Sequence, residues 1–313
     1  MKKLYTLFFI TFAGATFAQQ SLPFSDSFSY PAGNLHETTP WSALGTPNAT
    51  DHILLDGSKA TFAGGGTDAQ VTITSQSSGT VFYKIDLNIT SMAGVTDANG
   101  GYIMGFAQNA SNFGGTLWAK RVDDDNFNIG IETRTATGAA TTYTAASYPT
   151  GISITVVVAY TFGAGTSDDT TRLWINPTSS DEGTPLLTDT HTGTDMASIV
   201  SFFLRQDSAT ETGVVEVDNL KISNTFNELL SSSSFNAIDG LTMYPNPLRG
   251  NTLYFNSTAN ADMSVQIYDV LGKEVVNSKV MNNTVNISGL NAGVYIVKVT
   301  EEGKTATRKL VIQ

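Results

Sequence analysis

The chain has 313 residues, no cysteine, 14% charged residues and a formal net charge of −11. That length suits about two domains, each large enough for its own core. The missing thiol excludes disulfides, thiolate metal sites and a cysteine nucleophile, and the acidic balance argues against nucleic acid and anionic head groups, which offer it neither Coulomb attraction nor counterion release.

The first segment, MKKLYTLFFITFAGATFA over 1–18, sets Lys2 and Lys3 before an apolar stretch too short to span a bilayer and ends in small residues at Ala18. It predicts a cleaved export signal with a mature start at Gln19. The lipoprotein route is closed because there is no cysteine to acylate.

From 21 to 226 short alternating apolar stretches are separated by Gly, Asn, Asp and Thr clusters, which are strand and turn signals. The pattern predicts strands near 24–30, 52–55, 70–74, 80–90, 101–107, 116–122, 126–134, 151–162, 170–176, 198–206 and 213–223. ISITVVVAY at 152–160 is far short of a membrane span, and its β-branched residues suit a buried strand. Strands this closely spaced predict an all-β jelly-roll sandwich, because packing two sheets buries one face of each. This stretch holds 21 acidic against 8 basic residues, net −13.

The serine run in NELLSSSSFNAI has nothing to bury and no periodicity, which predicts a linker over 227–240. Alternation resumes over 241–313 with about seven short strands, an Ig-like sandwich carrying 5 acidic against 7 basic residues, net +2. Hairpins are signalled at LGK 271–273 and EEGK 301–304. Pro245 and Pro247 each fix φ, so the YPNP segment 244–247 is stiff and unsuited to a central strand.

YPNP with Gly250, then VQIYDVLGKEV, VNISGLNAGVYIVKV and a terminal strand with RKLVIQ closely resemble, in that order, the type A C-terminal sorting domain of the type IX secretion system of Bacteroidetes. The resemblance covers 241–313 and implies passage from the periplasm through the outer-membrane translocon. It also implies removal of the tail by a sortase-like protease, leaving a product released or joined to surface polysaccharide. The positions that match the family pattern are Tyr244, Pro245, Asn246, Pro247, Gly250, Tyr268, Asp269, Gly272, Leu290, Gly293, Tyr295 and Lys309, none of them catalytic. Tyr295, Val297 and Val299 alternate on one face, which is read as the contour a receptor recognises.

The passenger is similar to concanavalin-like or laminin-G-like jelly-roll modules through Phe28, Tyr30, Gly33, Leu35, Trp41, Trp174 and Asp218. Laminarinase-type relatives of that fold carry Glu-x-Asp-x-x-Glu. Here Glu216 and Asp218 occupy the first two positions but Lys221 the third, which removes the acid/base. The register of this strand is left open, since neither face is cleanly apolar.

Trp118 and Trp174 alternate in phase with polar neighbours, which marks them, with Arg172, as candidates for a saccharide platform, whereas Trp41 in its loop-rich surroundings is read as a core plug. Asp123, Asp124 and Asp125 in one loop and Asp168 and Asp169 in another are hard oxygen ligands of the kind Ca²⁺ takes, and converging loops would let the two groups share one ion. No other cofactor is implied. His36, His52 and His191 lack metal-ligand spacing, no serine sits in Gly-x-Ser-x-Gly, and the GGG at 64–66 lacks the lysine and the strand-to-helix setting of a phosphate loop.

The sequence therefore reads as a secreted or cell-surface protein of two β domains, with the type IX translocon and a sortase-like protease as partners of its tail and polysaccharide as the candidate ligand of its body. A non-enzymatic binding or adhesion module is the leading reading of that body. A polysaccharide-active enzyme of the same fold and a structural surface-layer protein stand as alternatives.

Overall fold

The computed structural model describes residues 19–48, 50–134, 142–190, 193–230, 238, 240–302 and 304–313. The expected export signal, His191 and the serine run lie outside them. The chain divides into two compact units, Met1–Ser231 and Ser232–Gln313.

The first unit is a jelly-roll sandwich of two antiparallel sheets. One has nine strands, ordered Leu187–Thr190, Thr170–Ile175, Ile154–Thr161, Thr80–Ser91, Val214–Ser223, Ala60–Phe62, Leu54–Leu55 and Gly33–Asn34, with Phe24–Asp26 also paired to Val214–Ser223. The other has eight, ordered Thr142–Tyr143, Asn126–Arg134, Asn112–Arg121, Gly101–Asn109, Ile199–Leu204, Ala69–Gln76 and Trp41–Ala43, with Tyr148–Pro149 also paired to Asn126–Arg134. Period-2 alternation makes this architecture: Val81, Tyr83, Ile85, Leu87 and Ile89 enter the shared core, while Lys84, Asp86 and Asn88 stay on the outer face of the same strand.

The strand expected over 24–30 stops at Asp26. Phe28 takes φ 48° and donates its amide back to Asp26 at 2.7 Å, and the same carboxylate accepts Tyr30 Oη and Trp41 Nε1, each at 2.7 Å. Trp41 is wholly buried by this anchor and packs on Phe28 and Phe202. The open register of 213–223 is resolved by a bulge. Val215 and Val217 face the core, Asn219 adopts φ 51°, and the phase flips so that Leu220 and Ile222 face the core as well.

The linker expected over 227–240 begins too early. Phe226–Leu230 is a short helix that lays Phe226 and Leu229 on the outer face of the nine-stranded sheet, against Phe82, Val157, Ala159 and Trp174. Its ELL stretch thus has apolar surface to bury, and Ile238 belongs to the core of the second unit.

That second unit pairs a three-stranded sheet, Thr242–Tyr244, Thr252–Asn256 and Thr284–Asn286, with a four-stranded one, Glu274–Lys279, Met263–Tyr268, Gly293–Glu301 and Lys304–Ile312. Its core is built on Leu253, Phe255, Val265, Ile267, Val297, Val299 and Leu310, with Tyr295 packed against it. The face of Tyr295, Val297 and Val299 therefore points inward and is not the exposed contour expected. Val294 and Ile296, at 40% and 39% exposure, lie on the opposite face. Among the described residues no helix is long and apolar enough to cross a membrane.

Candidate functional site

On the outer face of the eight-stranded sheet a single register row runs Tyr143, Gly130, Trp118, Tyr102. Gly130 carries no side chain, and Tyr143 in the same row is tied down, its hydroxyl donating to the Asn99 carbonyl beside Gly100. Trp118 is half-buried. Its ring lies 5.2 Å from that of Tyr102, and its Nε1 donates to Thr116 Oγ1 at 2.9 Å. Lys120, two residues on, holds its ammonium 5.3 Å from the Tyr143 ring.

The far end of the row is closed by charge. The Arg205 guanidinium stacks 4.4 Å from the Tyr102 ring and binds Asp207 at 2.9 Å and Asp68 at 3.4 Å. Burial pushes the Tyr102 hydroxyl up to about 12 and the Asp68 carboxyl up to about 6. Glu132, opposite Thr116 one row away, is 3% exposed, and burial with the charge of Asp189 pushes its carboxyl up to about 8. Asp189 is itself spent on structure, accepting Thr133 N at 2.7 Å, Thr133 Oγ1 at 2.8 Å and Thr142 Oγ1 at 2.7 Å. Among the described residues the row thus carries the half-buried Trp118 ring with Lys120 beside it, while Glu132 and Thr116 are buried and Asp68 and Asp207 are paired with Arg205.

The other platform candidate is a correction. Trp174 does leave the main core, as its parity with Arg172 required, but the helix Phe226–Leu230 covers it and it is 2% exposed. Its Nε1 donates to the Asp181 carbonyl at 2.7 Å, and Phe226 packs on it at 5.0 Å. Arg172 lies 5.6 Å from its ring and donates to Thr161 Oγ1 at 3.2 Å. Tyr102, Tyr143, Glu132 and Arg205 were not singled out from sequence. The glycine opposite Trp118 was the available signal, legible only once the strands are in register.

The two aspartate loops do not form one site. Asp123 accepts Asp125 N and Asn126 Nδ2, both at 2.9 Å, and Asp124 pairs with Arg121 at 2.8 Å. Asp168 and Asp169 are joined instead by Asp195, with one oxygen of each within 4.8 Å of the others. Asp195 accepts the amides of Asp168 at 3.1 Å and Asp169 at 3.2 Å, and Asp169 accepts Gly163 N at 2.7 Å and the buried Tyr160 hydroxyl. Burial, with the charges of Asp195 and Asp168 adding, raises the Asp169 carboxyl. The His36 and His52 rings, distant in sequence, meet tilted by 34° with centroids 5.0 Å apart.

Glu216 is tied to Lys59 at 2.7 Å and Asn88 at 3.1 Å. Asp218 sits opposite Asp86, and burial raises its carboxyl.

In the second unit the motif residues have structural roles. Between Pro245 and Pro247, Asn246 donates to the Lys309 carbonyl at 2.7 Å and accepts Val311 N at 3.0 Å. Tyr244 stacks on Tyr254 at 5.5 Å. Asp269 accepts the amides of Leu271 at 2.9 Å and Lys273 at 3.0 Å, Gly272 turns the same hairpin at φ 82°, and Tyr268 at its base donates to Glu274 at 3.4 Å. Leu290 N donates to the Ile287 carbonyl at 3.0 Å, Gly293 pairs with Ile312, and Tyr295 Oη donates to the Asn291 carbonyl at 2.9 Å. Gly250 has open space around its Cα, with nothing within 4 Å of where a side chain would start.

Residues 242–313 match the family described as the secretion system C-terminal sorting domain. No curated protein matches the chain. Among solved structures, a bifunctional GH43-CE protein of Bacteroides eggerthii aligns at 12% identity and TM-score 0.40 over 64% of this chain and 26% of its own, so the chain spans about a quarter of that protein. The Emp46p carbohydrate recognition domain aligns at 14% identity and TM-score 0.34 over 61% of this chain and 94% of its own. Alginate lyase vAL-1 from Chlorella virus aligns at 8% and 0.31 over 59% and 88%. Likenesses this distant decide nothing about what the body binds. The tail is decided: residues 242–313 are a type IX secretion-system C-terminal sorting domain, and they address the chain to the cell surface or the extracellular space.

Proposed function

We propose that the body is a non-enzymatic saccharide-binding module, delivered by its sorting tail, which binds glycan across the outer face of the eight-stranded sheet. The observation that carries the reading is the half-buried Trp118, its ring 5.2 Å from that of Tyr102 and in one register row with Gly130 and Tyr143. The exposed part of the Trp118 ring stacks the C–H face of a pyranose, and Lys120 supplies a polar contact, while the buried Thr116 only holds the indole in place. The tail's partners in this reading are the type IX translocon and a sortase-like protease. Calcium belongs to it only as a structural ion at Asp168, Asp169 and Asp195.

A glycan array on the mature protein, with Trp118→Ala as control, tests the binding half. Retention of at least one glycan by wild type, lost in Trp118→Ala, supports it. Hydrolysis of a bound glycan would replace it with the enzymatic alternative, and no binding at all would leave a structural surface-layer role. Deleting Tyr244–Gln313 tests the delivery half, and the truncated protein is expected to accumulate in the periplasm.

A further inference from the structure

The outer face of the three-stranded sheet in the second unit carries a feature that tail folding alone does not require. One register row sets Tyr244 opposite Tyr254 and Tyr254 opposite Thr284. The two rings stack nearly parallel, centroids 5.5 Å apart and planes 10° off, yet remain 46% and 40% exposed. The rows beside them set Thr242 opposite Asn256 and Thr252 opposite Asn286. This face therefore presents two rings, hydroxyls and carboxamides, and no charged side chain in those rows.

Two observations point outward from it. Thr242–Tyr244 is the edge strand of its sheet, so no further strand of that sheet covers the Tyr244 side of the stack. And a polarised chain ends on that ring: Asn283 Nδ2 donates to Asn256 Oδ1 at 3.0 Å, and Asn256 Nδ2 donates to Tyr244 Oη at 3.0 Å. Tyr244 thus accepts, and among the described residues nothing takes its own proton, so its O–H is aimed at an external acceptor and strengthened by the chain behind it.

We propose that this face is a second binding site, for a neutral saccharide. A pyranose stacks its C–H face on the open, edge-side face of the Tyr244 ring, which Tyr254 backs, and one of its oxygens accepts the Tyr244 O–H. Neutrality is the selective feature. The tail's excess of basic residues, 7 against 5 over 241–313, would draw an anionic glycan elsewhere, because these rows offer it no cation. The site is independent of the Trp118 face.

The test uses residues 19–313, tail retained, carrying Trp118→Ala, which removes the body's platform. It is titrated with maltoheptaose and cellohexaose by calorimetry and saturation-transfer NMR, and screened on immobilised neutral polysaccharides. Binding is expected to persist in that background and to weaken at least tenfold on adding Tyr254→Ala. On adding Tyr244→Phe, which keeps the ring and removes only the donor, it should weaken about threefold. The phenylalanine variant decides the matter even if the alanine one perturbs the tail. Absence of neutral-glycan binding in the Trp118→Ala protein, or affinity unmoved by both tyrosine variants, overturns the proposal. So does capture of a translocon protein by these tyrosines in place of sugar. Equal binding by wild type and Trp118→Ala would instead count against the body's platform and leave this one standing.

Discussion

Asn246 and Lys309, 63 residues apart, are joined by a hydrogen bond from the Asn246 carboxamide to the Lys309 carbonyl at 2.7 Å. The same carboxamide accepts Val311 N at 3.0 Å, so one side chain completes both backbone positions of the last strand's edge as a neighbouring strand would. Leu248 continues the pairing by donating its N–H to the Val311 carbonyl at 2.8 Å, and Gln313 N donates back to the Leu248 carbonyl at 2.9 Å. The stiff turn at the start of the tail is thereby latched to its end.

Asn246→Ala deletes both side-chain bonds and bares two backbone groups, at a cost of about 1–2 kcal/mol. Amide exchange should rise first over 309–313 while the body's protection stays unchanged, and delivery to the cell surface should fall. Asn246→Asp keeps the acceptor and loses the donor, so it should rank between Asn246→Ala and wild type. Unchanged exchange in Asn246→Ala would remove the latch from the account.

Trp118 and Trp174 should separate cleanly. Trp174→Ala empties a buried cluster of Phe82, Val157 and Phe226 and should cost about 3–5 kcal/mol of the body's stability, with its effect on binding only following unfolding. Trp118→Ala should cost less and abolish only the glycan capture that depends on the body's platform, with the protein still folded and its tail site untouched. Chemical denaturation beside a binding assay reads both, and the reverse ranking would contradict the assignment.

Much of this fold was legible in the sequence because strand alternation is local. Val81 to Ile89 on one face and Lys84 to Asn88 on the other need no tertiary knowledge. What was not legible depends on partners far along the chain. Parity placed Trp174 outside the main core, but nothing local says that Phe226 and Leu229 return to cover it. Asp195 meets Asp168 and Asp169 only through the fold, and Tyr143 joins the row of Gly130 and Trp118 only when Thr142–Tyr143 is in register. The bulge at Asn219 resolves a register that alternation alone left undecided.

Glu132 makes stability depend on pH in an unusual direction. Its carboxyl is raised from an ordinary 4.5 to about 8 by burial and by Asp189. Between those values the folded protein keeps a proton that the unfolded chain has released, so this contribution is complete below pH 4.5 and fades as pH rises through about 8. Glu132→Gln mimics the protonated acid. It should flatten the decline and raise the melting temperature of the body near pH 8.5 by about 3–6 °C, with little effect near pH 4.5. A decline equally steep in the variant would place its source elsewhere.

The Asp168, Asp169 and Asp195 group concentrates three carboxylates, one oxygen of each within 4.8 Å of the others. Amides and the Tyr160 hydroxyl offset part of that repulsion, and each carboxylate oxygen still has lone-pair capacity for a hard cation. At the affinity common in extracellular modules, Kd of about 10⁻⁴–10⁻³ M, 10 mM free Ca²⁺ would stabilise the folded body by about 1.4–2.7 kcal/mol. Melting curves with and without chelator should therefore separate for wild type and coincide for Asp195→Asn, whose side chain can still accept an amide but loses the charge. Mg²⁺ should give a smaller separation, because that ion demands near-ideal octahedral geometry and sheds its waters reluctantly. Coincident wild-type curves would mean that the three carboxylates serve only to cap backbone amides, and the pairing of Asp195 with Asp168 and Asp169 would then be wholly structural.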